Sequence, residues 1–235
     1  MPLEEIEFSL PSPAVEVPAA VAQWIAESDR RIDEFFHSER NRKLPKYLPS
    51  DPDLLFAVLH SITADDLPLG RVFCEWGSGF GVGTGIAALL GYEAWGIEWE
   101  DELVGIAEQL ALDLGVEANF LATSYLPEGY ESAEGVGGEI LIRDAVFTHP
   151  DEAAGRVGEI GYEGMDRDLS EVDVFYVYPW PYQQEFMHQL FDELAVEGAI
   201  LITYLGSGEI SVWRKVTDDD EFDDEEEEEE EDRFL

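Results

Sequence analysis

Four glycines at alternate positions, Gly77, Gly79, Gly81 and Gly83, stand between two acids, Glu75 and Glu98, in the stretch VFCEWGSGFGVGTGIAALLGYEAWGIE (Val72 to Glu98). Each residue type has a chemical use. A glycine loop lets the backbone approach a ligand that a Cβ would push away, and it permits positive φ. A helix that begins after such a loop offers unpaired N–H groups to an anionic part of a ligand. A carboxylate 21 residues after Gly77 can accept two hydrogen bonds from the vicinal hydroxyls of a ribose.

The positions around the loop choose between cofactor classes. Nicotinamide and flavin sites use G-x-G-x-x-G, whose third glycine would fall where this chain has Val82. A pyrophosphate is also poorly served by an acid two residues before the first glycine, where Glu75 stands. A cofactor with a cationic amino acid end tolerates that acid. A nicotinamide site and an ordinary glycine-rich turn are the competing readings. Glu75-x-Gly77-x-Gly79-x-Gly81 resembles the first motif of class I S-adenosylmethionine-dependent methyltransferases, and Gly96-Ile97-Glu98 resembles their ribose-binding acid. Within that class the chain is loosely similar to the seven-strand lysine methyltransferases. It implies S-adenosylmethionine as cofactor, held by Glu75, Gly77, Gly79, Gly81 and Glu98.

Three further stretches bear on this reading. Tyr47-Leu48-Pro49-Ser50 is similar to an aromatic-apolar-Pro-Ser/Thr element of some lysine-modifying members. The resemblance implies that Tyr47 and Ser50 cover the methionine end; Ser50 could equally cap the helix that follows. Ala122-Thr123-Ser124-Tyr125 lacks the acid that family members often place against the adenine amino group, and Ser124 is the substitute. Tyr178-Pro179-Trp180-Pro181-Tyr182 partly resembles the fourth motif, but Tyr178 stands in its amide position and Trp180 between its prolines. Tyr178, Trp180 and Tyr182 are the candidate catalytic residues, as an aromatic wall that attracts ammonium and sulfonium groups. The competing reading is a rigid proline turn packed on the core. No residue stands out as a general base, and no metal site is expected, because His149 has no His or Cys neighbour.

The elements that must position these residues follow from periodicity. Apolar runs at 72–74, 93–97, 118–121, 172–178, 199–204 and 210–216 read as strands. Helical spacing marks 18–42, 54–62, 101–114 and 183–194. Strands alternating with helices predict an α/β, Rossmann-like, mostly parallel sheet of five or six strands with helices on both faces and an N-terminal helical cap. The expected organisation is a lead-in and helical cap over 1–65, a methyltransferase domain over 66–216 and a disordered acidic tail over 217–235. Residues 127–170, rich in glycine and without a clean crossover helix, read as an insertion beside the cleft.

The chain has 235 residues, 45% of them hydrophobic, with 54 acids against 13 bases and a net charge of −41. The stretch Asp218 to Asp232 holds 14 of the acids; without it and Arg233 the body still carries about −28. Such a charge disfavours direct binding to a phosphate backbone and points to a saline setting or a basic partner. No apolar run is long enough to span a membrane, and the one cysteine, Cys74, lies in a predicted buried strand, as expected in the cytoplasm. The acceptor is read as a protein lysine or another amine, with a small molecule as the alternative. A different class remains open: a non-catalytic protein that keeps the fold and binds basic partners through its acidic tail.

Overall fold

A computed structural model describes residues 3–7, 16–38, 48–127, 162–180 and 182–216. Among them run strand β1 (Leu3–Glu5), helix α1 (Ala19–His37), α2 (Pro52–Ala64), β2 (Val72–Trp76), α3 (Val82–Leu89), β3 (Glu93–Glu98), α4 (Asp101–Leu114) and β4 (Asn119–Ala122). A 3-10 turn (Leu169–Glu171), β5 (Val174–Val177), α5 (Gln184–Leu194), β6 (Ile200–Gly206) and β7 (Glu209–Lys215) complete the order.

The seven described strands form one sheet in the order β1-β7-β6-β5-β2-β3-β4. β4, β3, β2, β5 and β6 are parallel, with Cys74 opposite Trp95 on one side and Phe175 on the other. This is the doubly wound order, in which the chain leaves the centre in both directions and the crevice opens where it reverses, between β2 and β5. The fold is Rossmann-like. The strand count exceeds the five or six expected, because the N-terminal lead-in supplies β1. Three residues with little apolar pattern give no strand signal of their own; β1 exists by pairing antiparallel with β7, Leu3 opposite Lys215 and Glu5 opposite Trp213. β7 in turn is antiparallel to β6, joined by a tight turn at Ser207, whose φ is 55°.

Alternation along the strands divides the core in two. Phe73, Ala94, Val174, Tyr176, Ile200 and Ile202 face α1 to α4, whereas Cys74, Trp76, Trp95, Ile97, Phe175 and Leu201 face α5 and the segment 162–172. The parallel strands are therefore apolar on both sides, as sheets covered on both faces require. Burial pushes the Cys74 thiol far above its usual range, so it is an inert core group.

α1 is more than a cover. Trp24 is fully buried, and its Nε1 donates to the carbonyl of Val82, 3.1 Å away, at the first turn of α3. A Cβ at Gly85 would overlap the Trp24 ring, so that glycine exists for helix packing. Further along α1, Phe35 meets Phe80 edge-on at 5.3 Å, and Ile32 and Leu103 close the same small cluster. Arg31 completes the attachment, bonding Glu27 within α1 and Asp113 of α4 at 2.5 Å. Among the described residues no helix is long and apolar enough to cross a membrane.

Candidate active site

The glycine loop leaves the C-terminal end of β2 and enters α3. Gly77, Gly79 and Gly81 all hold positive φ, at 77°, 53° and 73°, which L side chains rarely tolerate. The N–H groups of Gly77 and Ser78 both donate to the carbonyl of Ile97 at 2.9 Å, tying the loop to the end of β3. The residues between the glycines turn inward: Phe80 is fully buried against α1, and Ser78 is buried beneath the loop. At Gly77 an added Cβ would meet nothing within 4 Å, so this glycine faces open space.

The two acids occupy the same face of adjacent strands. Glu75 lies opposite Gly96 and Tyr176. Its Oε2 accepts from Thr84 N at 2.7 Å and from Thr84 Oγ1 at 2.6 Å. The carboxyl thus caps the first turn of α3, filling a donor that the helix start would otherwise leave unpaired. Close approach is possible because Gly83 has no Cβ, which would sit 2.6 Å from Glu75 Oε1. Likewise a Cβ at Gly96 would lie 2.7 Å from Thr84 Oγ1 and 2.8 Å from Ser78 Oγ. Burial pushes the Glu75 carboxyl up to about 8, against the pull of the Thr84 bonds, and the charge of Glu98 adds to the rise.

Glu98 ends β3 and holds the loop from the other side. Its Oε2 accepts from Gly79 N at 2.8 Å and its Oε1 from Glu100 N at 3.0 Å. Burial raises its carboxyl, while these backbone bonds draw it back. Three backbone N–H groups, those of Gly79, Trp99 and Glu100, thus leave the two oxygens with one lone-pair site between them for a ligand hydroxyl. Trp99, which follows, is 40% exposed at the same rim.

A cavity beside the loop is lined by Leu48, Ser50, Glu75, Gly77, Ser78, Val82, Tyr176 and Tyr178. Of the residues singled out in the sequence, it brings together Ser50, Glu75, Gly77 and Tyr178, with Gly79, Gly81 and Glu98 adjoining through the loop. The double role left open for Ser50 resolves one way: Asp51 is the N-cap of α2, accepting from Leu54 N at 3.0 Å, and Ser50 lines the cavity. Tyr47 lies outside the described residues, as do most of the insertion and the acidic tail. Ser124 does not line this cavity; its Oγ accepts from Leu126 N at 3.1 Å in a local turn after β4.

The aromatic segment divides. Tyr178 packs edge-on against Tyr204 at 4.7 Å and reaches the cavity. Trp180 and Tyr182 do not line the cavity and are 37% and 60% exposed. The Trp180 carbonyl accepts from Gln183 N at 2.8 Å, in the turn that starts α5. Tyr204, Tyr176, Ser78, Thr84 and Trp99 were not singled out from the sequence. Tyr176 carried a signal, since it lies two residues before Tyr178 on one strand and so shares its face. Thr84 carried none, because its role depends on Glu75 folding back over the helix start.

No basic residue is among the described residues lining the cavity, and among all described residues no cluster of His, Cys, Asp or Glu is arranged to hold a metal ion. The arrangement can accept hydrogen bonds from hydroxyls and surround a cation with acids and aromatic faces. It serves a pyrophosphate badly: Glu75 already occupies a helix-start N–H and sets a carboxyl where the phosphates would lie.

No family model matches the chain, and no curated protein matches it in sequence. Similar solved structures exist. An RNA methyltransferase from Salinibacter ruber, in complex with S-adenosyl-L-homocysteine, is 17% identical over 72% of this chain and 92% of its own, with a TM-score of 0.45. The O-methyltransferase of tomaymycin synthesis from Streptomyces achromogenes, in complex with SAM, is 16% identical over 80% and 66%, with a TM-score of 0.41. The magnesium protoporphyrin IX methyltransferase of Synechocystis, with SAM bound, is 16% identical over 75% and 74%, with a TM-score of 0.40. The fold assignment stands on this chain's own strand order, and at these identities and scores the likenesses say nothing of its cofactor or acceptor.

Proposed function

We propose that this chain is an S-adenosylmethionine-dependent methyltransferase acting on an amine, with a protein lysine as the first candidate acceptor. The observation that carries the reading is the pair of carboxyls, Glu75 bonded to Thr84 at the start of α3 and Glu98 bonded to Gly79 in the glycine loop, beside a cavity with no basic residue among its described lining. A ligand for that cavity offers hydroxyls and positive charge. S-adenosylmethionine has a ribose diol, an ammonium and a sulfonium, and a nicotinamide dinucleotide brings a pyrophosphate instead.

In this reading Glu98 receives a ribose hydroxyl on its remaining lone pair, and Gly77 admits the ligand close to the backbone. Glu75 and Ser50 face the amino acid end, with Tyr47 preceding them in sequence. Ser124 lies toward the adenine end, where its hydroxyl is a weaker acceptor than a carboxylate. The cofactor supplies an electrophilic methyl on a cationic sulfur that leaves as a neutral thioether. Tyr178 and Tyr204 present ring faces and edges beside the cavity, and Trp180 and Tyr182 extend the aromatic surface outward, where they would orient a cationic or apolar acceptor. The protein's contribution is positioning.

A small-molecule acceptor is the alternative, supported by the same aromatic surface. The test is titration calorimetry with S-adenosylmethionine, S-adenosylhomocysteine and NAD, followed by labelled cofactor in a cell extract. Binding of the first two with NAD silent, and label on a protein band, is the expected result. NAD binding alone would overturn the cofactor, and label confined to the small-molecule fraction would overturn the protein acceptor.

A further inference from the structure

Tyr162, in the later part of the insertion, is 5% exposed in the core beneath α5. Its hydroxyl makes two hydrogen bonds. It accepts from Trp76 Nε1 at 2.7 Å and donates to the carbonyl of Tyr125 at 2.6 Å. Trp76 is the last residue of β2, immediately before Gly77. Tyr125 follows Ser124 in the turn after β4. The two partners therefore stand beside Gly77 and beside Ser124, at the ends of β2 and β4, which are separated by β3 in the sheet.

We propose that Tyr162 is a positioning residue for cofactor binding, whose hydroxyl sets the distance between the glycine loop and the Ser124 turn. The proposal rests on the methyltransferase reading for its ligand, and on the two hydrogen bonds for its geometry. A phenyl ring would fill the same space, so packing alone does not require the hydroxyl. Without it, the Trp76 N–H and the Tyr125 carbonyl both lose a partner inside the protein, where an unmade bond is costly. The two strand ends would then be held only by the strands themselves and by the apolar contacts of Met165 and Leu169, buried on the same segment. Burial holds the Tyr162 hydroxyl well above the ordinary tyrosine range, so it remains a donor at every working pH.

The same bond pins the later part of the insertion to the segment just before it, because Tyr162 grips the carbonyl of Tyr125.

The experiment compares full-length Tyr162→Phe with Tyr92→Phe. Tyr92 is equally buried and its hydroxyl bonds Thr63 Oγ1 at 2.7 Å, but it precedes β3, at the far end of the sheet from the cleft. Hydrogen exchange of the ligand-free proteins is read over 76–81 and 124–126, and affinity for S-adenosylhomocysteine by calorimetry. Tyr162→Phe should speed exchange in both segments and weaken the ligand roughly fivefold to tenfold, the equivalent of one net hydrogen bond. Tyr92→Phe should lower the melting temperature and do neither. Wild-type exchange in both segments of Tyr162→Phe, or a uniform rise like that of the control, would overturn the proposal. If the wild type binds no S-adenosylhomocysteine, the methyltransferase reading falls, and the exchange data still decide the role of Tyr162. Should Tyr162→Phe fail to fold, Trp76→Phe cuts the first bond alone. It should loosen 77–81, and unchanged protection there would count against the bridge.

Discussion

The two sides of the cleft are built on different principles. On the glycine-loop side, the carboxyls and the backbone N–H groups find partners within the chain: Glu75 holds Thr84, Glu98 holds Gly79 and Glu100, and Ile97 holds Gly77 and Ser78. On the aromatic side, Trp180, Tyr182 and Leu205 keep 37%, 60% and 38% of their surface open. The first side is pre-organised, its backbone fixed before any ligand arrives, which lowers the ordering cost of binding. The second leaves large side chains open to solvent. The difference separates two tasks: a rigid half suits a ligand that never changes, and an exposed half suits an acceptor that must come and go.

The largest expected effect tests whether the rigid half depends on the N-terminal helix. Trp24→Ala removes a fully buried indole from between α1 and α3 and should cost about 3–5 kcal/mol of stability, read by denaturant unfolding. A loss under about 1 kcal/mol would mean that α1 merely covers the sheet. Next, Glu98→Ala should weaken S-adenosylhomocysteine by roughly 1.5–3 kcal/mol, the scale for hydrogen bonds to a charged group, with a smaller fall in melting temperature from the freed Gly79 N–H. Unchanged affinity would remove Glu98 from the ligand site and leave it a loop clamp only.

On the aromatic side the expectation is reversed. Trp180→Ala should change stability by no more than about 0.5–1 kcal/mol, as an exposed substitution does, while turnover of the acceptor falls and cofactor affinity holds. A cooperative loss of fold, with normal activity per folded molecule, would make the segment core and erase the contrast between the halves.

A pH dependence on the rigid side gives a further test. The folded carboxyl of Glu75 titrates at about 8 against 4.5 for an ordinary glutamate, so the native state binds a proton that the unfolded chain has released. Its stabilising share is complete below pH 4.5 and disappears as pH rises through about 8. Glu75→Gln keeps an acceptor for Thr84 and cannot ionise. The melting temperature of the variant relative to wild type should therefore rise between pH 6 and pH 9. A constant difference would place the Glu75 carboxyl in the ordinary range.

The rigid half was the more legible in the sequence. Glycines at every second position between two apolar runs, each ending in an acid, mark a strand-loop-helix-strand unit because each signal is local, and the registers Glu75 opposite Gly96 and Gly96 opposite Phe120 follow. The aromatic half was legible only in part: Tyr178 was marked by its motif, but its partner Tyr204 comes from the next strand. Not every glycine served the purpose its motif suggested. Gly83 makes room for Glu75, and Gly85 receives Trp24 from a helix some sixty residues earlier in the chain.

The amino-acid sequence by itself determined the alternation of strands and helices, the placing of the glycine loop, the two carboxyls beside it and the aromatic run after β5. These depend on spacings of two, of about three and a half, and on single glycines, all within a few residues of one another. The tertiary structure alone decided that Leu3–Glu5 closes the sheet against the last strand, that Asp51 rather than Ser50 caps α2, that Thr84 fills the Glu75 carboxyl and that Tyr162 bridges Trp76 and Tyr125. Each of these is a choice of partner among residues of equal local merit, and only the packing of the whole chain brings one of them within reach.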